Sequence, residues 1–219
     1  YVGTTKTLYS IGTDAQRKVI REWIKNHSDL KPSEYIELLT SLFHGESINE
    51  ISIASELLES MPKLRKQVKP KYLDVWLNGV QGWAEVDSLC QSKFTADDLL
   101  QNWEEWENLL LKLVSNKNVH KKRASLVLLT KPVRDSEDSR LAEMAFANID
   151  LLKEERHILV TKAISWLLRD LIKHHRQRVE AYINGNMNTL PKIALRETRA
   201  KLLTGRKTPQ RPREARQER

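Results

Sequence analysis

Ser47-Ile48-Asn49-Glu50-Ile51-Ser52-Ile53-Ala54-Ser55-Glu56-Leu57-Leu58-Glu59-Ser60, halted by Met61-Pro62, decides the class of fold. Ile53 apart, its apolar residues fall at Ile48, Ile51, Ala54, Leu57 and Leu58. That three-and-four spacing belongs to one face of a helix, not to the alternation of a strand. Proline then stops the run, because it lacks the N–H and its ring clashes with the preceding turn. The same period continues in both directions along the chain. Thr13-Asp14 is expected to cap a helix running to about Asn26. Pro32-Ser33-Glu34 opens another that ends near His44-Gly45. After a basic connector, Lys63–Lys71, helices are predicted over Tyr72–Val80, Trp83–Lys93, Glu104–Ser115, Val119–Leu129 and Ser139–Leu152. His157–His175, Arg178–Ile183 and Pro191–Leu203 follow, and Thr95-Ala96-Asp97-Asp98 marks a further start with acids at the positive end of the dipole. Strand signals are scarce.

These helices pair at intervals of roughly 35–40 residues without a sharp sequence repeat, the pattern of a helical-hairpin solenoid of the HEAT type. The expected fold is therefore all-α: stacked helical hairpins forming a curved solenoid with a basic concave face. A compact orthogonal bundle is the competing architecture. Residues 1–206 form the expected domain, and 207–219, interrupted by proline and nearly free of apolar side chains, a disordered basic tail. The chain opens on Tyr1 in the middle of a pattern, so a trimmed start is expected.

The chain has 219 residues, 40% hydrophobic and 30% charged, which is globular composition. No apolar run approaches the 18 or so residues of a membrane span. One cysteine, Cys90, excludes an internal disulfide framework and fits a reducing cytoplasm. His174-His175 lacks Cys or carboxylate partners at metal-ligand spacing, so no metal is expected. The net charge of +8 is unevenly placed: residues 1–116 carry 13 bases against 17 acids, and residues 117–219 carry 24 against 12. A second half this basic points to a polyanion, with a solvated helix face as the plainer alternative. Residues 117–134 alone hold six bases and no acid.

Gly82-Trp83-Ala84-Glu85-Val86-Asp87-Ser88 places an indole and a carboxylate four residues apart, on one helix face. Such a pair suits holding a sugar or base beside a developing cation. Arg123, at the head of the apolar run Ala124–Leu129, and Trp166 complete a candidate constellation. Taken singly each is ordinary. An exposed or lysine-paired Asp87, a surface Arg123, and core indoles at Trp83 and Trp166 are the plain readings.

Three stretches, in this order, resemble the bacterial AlkD-type DNA alkylation repair glycosylases, proteins of HEAT-like repeats. Trp83-Ala84-Glu85-Val86-Asp87-Ser88 is similar to the family's Trp-x-x-Val-Asp-Ser segment. Lys122-Arg123-Ala124-Ser125 resembles its Arg-Ala-Ala segment, and Lys162-Ala163-Ile164-Ser165-Trp166-Leu167-Leu168-Arg169 its Lys-Ala-Ile-Gly-Trp-x-Leu-Arg segment. Fainter similarity runs from Tyr1 through Thr13 to Arg17 and at Leu195-Arg196-Glu197. Gly82 departs from the pattern, which has an aromatic residue there, and Gly12 departs from a polar one. Family members also begin with more helix than this chain has.

The resemblance implies a monofunctional glycosylase that hydrolyses the N-glycosidic bond of cationic N3- or N7-alkylated purines in double-stranded DNA. It would leave an abasic site, work without base flipping, and need neither metal nor cofactor. Asp87 would be the catalytic carboxylate, Trp83 and Trp166 would flank the lesion's deoxyribose, and Arg123 would contact the backbone. Lys121, Lys122, Lys162, Arg169 and Thr13 are the further expected DNA contacts, on a cytoplasmic monomer. A non-catalytic binder of distorted DNA is the second reading, and a protein scaffold the third.

Overall fold

The computed structural model describes residues 3–208, so the predicted tail lies outside it beyond Thr208. Twelve α-helices are present among these residues: α1 (Thr13–Asn26), α2 (Pro32–Phe43), α3 (Ile48–Ser60), α4 (Pro62–Arg65), α5 (Lys71–Trp76), α6 (Trp83–Cys90), α7 (Ala96–Leu100), α8 (Trp103–Val114), α9 (Val119–Asp135), α10 (Ser139–Leu152), α11 (Ile158–Gly185) and α12 (Lys192–Thr204). No described helix is long and apolar enough to cross a membrane.

Contacts between helices sort the chain into two rows. One row runs α2, α5, α8, α10, each touching the next. The other runs α3, α6, α9, α11, α12 in the same way. The pairs α2–α3, α8–α9 and α10–α11 join the rows crosswise. This is the all-helical repeat solenoid expected from the periodicity: each hairpin buries its apolar stripe against its neighbours. α9 and α11 carry the longest buried stretches. Every residue from Arg123 to Thr130 is buried, as befits a helix with neighbours on several sides.

Several boundaries differ from expectation for identifiable reasons. Gly12, not Thr13, caps α1, and it offers no side-chain bond. α9 does not end at Leu129 but runs through Pro132 to Asp135. Proline removes one helical bond there, and burial of Pro132 and Val133 holds the turn in place. His157–His175 and Arg178–Ile183 are one helix, α11, bent where His175 takes φ −124° and ψ 37°. The connector after Pro62 contains the single turn α4, and α5 passes into a 3₁₀ turn at Leu77–Gly79. α6 stops at Cys90, and Ser92 then takes φ 60°, a left-handed conformation that costs a non-glycine residue energy.

An extended segment precedes α1 and ties into the second row. Ile48 donates its N–H to the Thr7 carbonyl at 2.8 Å, and Lys6 Nζ donates to the Gly45 carbonyl at 2.8 Å. Lys6 also faces Glu85 on α6 at 3.8 Å, and neither side chain is more than 8% exposed. Gly45 leaves room here for the Glu50 carboxylate that boxes the start of α3, which a Cβ, 2.5 Å away, would displace. In the first row Trp76 is fully buried, stacks on Phe43 with ring centroids 4.9 Å apart, and donates Nε1–H to Thr40 Oγ1 at 2.9 Å.

Trp76→Ala should lower unfolding free energy by about 3–5 kcal/mol, read from urea denaturation, because it opens a cavity between α2 and α5 and removes the bond to Thr40. Stability should also fall on acidification. Burial holds His120 below its ordinary pKa of 6.5, with Glu85 opposing and His157 and Arg123 adding to the effect. The unfolded chain therefore takes up that proton first, and stability drops as pH falls below about 6.5. Hydrogen bonds from Lys93 to Glu59, Lys131 to Asp135 and Lys122 to Glu155 hold those acids low, which extends the loss to more acid pH. Asp170, raised by burial, works in the opposite sense. Melting temperature measured from pH 8 to 4 should decline throughout, and His120→Gln should flatten the segment just below pH 6.5.

Candidate active site

α6 starts where Gly82, in extended conformation, turns the chain into Trp83. Its buried face carries Val86, Leu89 and Cys90, so the remaining arc presents Trp83, Ala84, Asp87 and Ser88. Those four, with Ser55 and Glu59 of α3 and the turn Gln91–Lys93, line an open cleft of about 510 Å³. Ser55 Oγ donates to the Ser88 carbonyl at 2.6 Å, which fixes α3 against α6 along the cleft floor. Lys93 and Glu59 close one rim with an ion pair at 2.6 Å. Trp83 is half-buried in this wall and Asp87 opens onto it with 13% of its side chain exposed.

Behind the cleft, Asp87 is held by Arg123 of α9. Arg123 Nε donates to Oδ1 at 2.9 Å and Nη2 to Oδ2 at 2.7 Å, a bidentate pair. The same guanidinium sends Nη1 to the Leu159 carbonyl in the first turn of α11 at 2.7 Å. One side chain thereby joins three consecutive helices of the second row. Each Asp87 oxygen accepts one bond from Arg123 and keeps acceptor capacity toward the cleft.

Arg123 is 6% exposed, with its donors turned inward. Arg123, an expected backbone contact, is in this arrangement a partner of Asp87. Lys121, another expected contact, is also turned inward. It is 6% exposed and bonded to Asp74 of α5 at 2.6 Å. Lys122 is paired with Glu155 at 2.6 Å and about a quarter exposed. Arg169 points Nε at the Ser165 carbonyl, 3.0 Å away, and lies 3.7 Å from Glu197. Lys162, on α11, and Thr13, at the start of α1, are the expected contacts that stand exposed. Trp166 is half-buried on α11 and is not among the residues that line the Asp87 cleft. It lies seven residues beyond Leu159, two helical turns along the same face and about 10 Å away.

Cys90 lies under this site, 2% exposed. Burial pushes its thiol well above the ordinary range, the Asp87 charge adds to that, and Arg123 opposes it. A thiol so placed is inert. Sequence reasoning missed Asp74, Glu155, Glu197 and the Leu159 carbonyl. Nothing in their local sequence marks them as partners of residues 28 to 47 positions away.

The sequence matches the family described as DNA alkylation repair enzyme over residues 1–202. Among solved structures, the chain is similar to a predicted DNA alkylation repair enzyme from Enterococcus faecalis, with a TM-score of 0.72 and 16% identity. That similarity covers 91% of this chain and 89% of the other, and at such identity it speaks to the fold alone. No curated protein matches the chain.

Arg123→Ala should cost about 3–5 kcal/mol of stability by leaving Asp87 unpaired, and Asp87→Ala combined with Arg123→Ala should cost less than the sum of the single changes. Urea melts of the four proteins of that cycle measure the coupling. Cys90 should react with a thiol reagent only as fast as the native fold opens.

Proposed function

The chain belongs to the DNA alkylation repair enzyme family, and from that premise we propose that it is a glycosylase hydrolysing the N-glycosidic bond of cationic N3- or N7-alkylated purines in duplex DNA. The observation that carries this reading is Asp87, opening onto a cleft beside Trp83 and fixed from behind by Arg123. A carboxylate oriented in that way suits a reaction whose transition state is a sugar cation.

An N3- or N7-alkylated purine is already positive, so it leaves well. The C1′–N9 bond breaks with its electron pair going to the purine, which departs neutral. A water oxygen bonds to C1′, and its proton passes to an Asp87 oxygen and on to solvent. Asp87 acts on developing charge in the sugar, as the carboxylate does in glycoside hydrolysis. The Arg123 partner weakens that field without cancelling it. At an effective dielectric near 20, a charge about 4 Å from the carboxylate gains about 4 kcal/mol, while a guanidinium about twice as far away takes back about half. Arg123 in return fixes the carboxylate's direction, which is worth more than free charge when the attack must be in line. The Trp83 face adds cation–π attraction of about 0.5–2 kcal/mol that grows as the sugar becomes positive, and so favours the transition state. Trp166 is the second indole in this reading, and the exposed Lys162 contributes charge toward the backbone.

The cleft beside Asp87 is open, and no step of this reading requires a base to be extruded into a closed pocket. The protein would sense cationic lesions by how readily they leave. A non-catalytic binder of distorted DNA is the second reading; it would keep Asp87 only as the partner of Arg123, and the release of base from damaged DNA separates the two.

Incubation with duplex DNA containing 7-methylguanine should release free base, and a neutral lesion such as hypoxanthine should be released far more slowly. Asp87→Asn should cut single-turnover release by roughly 10²-fold or more while leaving duplex binding in place. Binding without release by the parent protein would favour the second reading, and equal release of both lesions would sink the charge argument.

A further inference from the structure

α12 carries Lys192, Arg196, Arg199 and Leu203 at spacings of four, three and four, so all four stand on one helix face. All four are exposed, with the Arg196 side chain at 74% and Leu203 at 86%. Charge of one sign along a surface helix is commonly solvated and no more. Three observations separate this stripe from that case. It borders an open groove of about 640 Å³, lined also by Leu195, Ala200 and Lys207. The acid within reach is outnumbered: Glu197, 8% exposed, lies 3.9 Å from Arg196 and 3.5 Å from Lys207, and it already accepts a hydrogen bond from Ser165 at 2.6 Å. Glu197 also lies 3.7 Å from Arg169 of α11, so the stripe is continuous with the helix that carries Lys162 and Trp166.

Part of the basic run on α9, by contrast, is taken up internally. Lys121, Lys122 and Arg123 all have carboxylate partners. Lys192 and Arg199 have no such partner among the described residues, and Arg196 reaches its own at 3.9 Å. Cations in that state attract an extended anion with charges repeating along it.

We infer that the exposed face of α12, Lys192-Arg196-Arg199, is a second phosphate-binding track that holds the sugar–phosphate backbone of duplex DNA flanking the lesion. The inference rests on the proposed DNA function but needs none of its chemistry. The 192-to-199 span is about 10 Å along the helix axis, enough for two or three successive phosphates of one strand. The apolar groove edge at Leu203 gives the sugars a surface to lie against. The track reads no sequence, because backbone contacts position a duplex without identifying bases. Its effect is to extend the footprint beyond the Asp87 cleft and set the register of the helix on the protein.

The test is the salt dependence of binding to an undamaged duplex, followed by fluorescence anisotropy. Each phosphate contact contributes about −0.9 to the slope of log K against log [salt]. Replacing Lys192, Arg196 and Arg199 together by Ala should make the slope shallower by up to about 2.7. Between 50 and 200 mM salt the parent should then lose roughly 40-fold more affinity than the variant does. The pair Arg196→Lys and Arg199→Lys should keep the parental slope, since it keeps the charge. A control with Lys63, Lys66 and Lys69 changed to Ala, all exposed and on the segment around α4, should also keep it. Circular dichroism of the triple Ala variant should match the parent, because all three side chains point to solvent.

An unchanged slope in the triple variant, or an equal loss in the control, overturns the track and leaves the glycosylase reading standing. A shallower slope in a protein that releases no 7-methylguanine supports the track and overturns the glycosylase reading. A parent that does not bind duplex at all overturns both.

Discussion

A single guanidinium, Arg123, holds the second row of helices in register. It bonds Asp87 of α6 through two nitrogens and the first turn of α11 through the third. α9, which carries it, packs on both of those helices. Taking a charge out of water costs several kcal/mol, and only a well-aimed partner offsets that. The geometry here supplies one, along with a backbone carbonyl. The candidate catalytic carboxylate and the stacking of three successive repeats therefore depend on the same bonds.

The rest of the polar interior follows that plan. Lys121 of α9 reaches Asp74 of α5. Arg65, next to α3, reaches Asp98 of α7 at 3.1 Å, and Asp98 also boxes the start of that helix. Arg134 of α9 faces Asp170 of α11 at 3.5 Å, and Ser165 of α11 bonds Glu197 of α12. In a solenoid each unit touches only its neighbours, so specificity must be written at each interface in turn. Apolar stripes alone would allow helices to slide or rotate. A buried charge with one acceptable partner does not.

This use of charge redistributes what the composition implies. The run from Lys117 to Arg134 is the most basic stretch before the tail, yet Lys121, Lys122, Arg123 and Arg134 each face a carboxylate from elsewhere in the chain. Cations left facing solvent without a carboxylate partner include Lys162, Lys192 and Arg199 on α11 and α12, and Lys63, Lys66 and Lys69 around α4. A positive net charge measures attraction to a polyanion at long range, whereas the contact surface depends on which cations are unpaired.

The sequence by itself determined the helical class, most helix starts, the hairpin period and the i, i+4 placement of Trp83 and Asp87 on α6. These depend on neighbours within a turn or two, and helical spacing and proline stops record such neighbours directly. Helix ends were less legible. Pro132 lies inside α9 and His175 inside α11 because burial against other helices outweighs a local preference. Only the tertiary structure decided that Arg123 faces Asp87, that Lys121 is buried, that Trp166 stands apart from the Asp87 cleft, and which basic residues remain free. Ion-pair partners 30 or more residues apart leave no local trace, because a carboxylate's attraction depends on distance in space and on burial, and neither is a property of a short segment of chain.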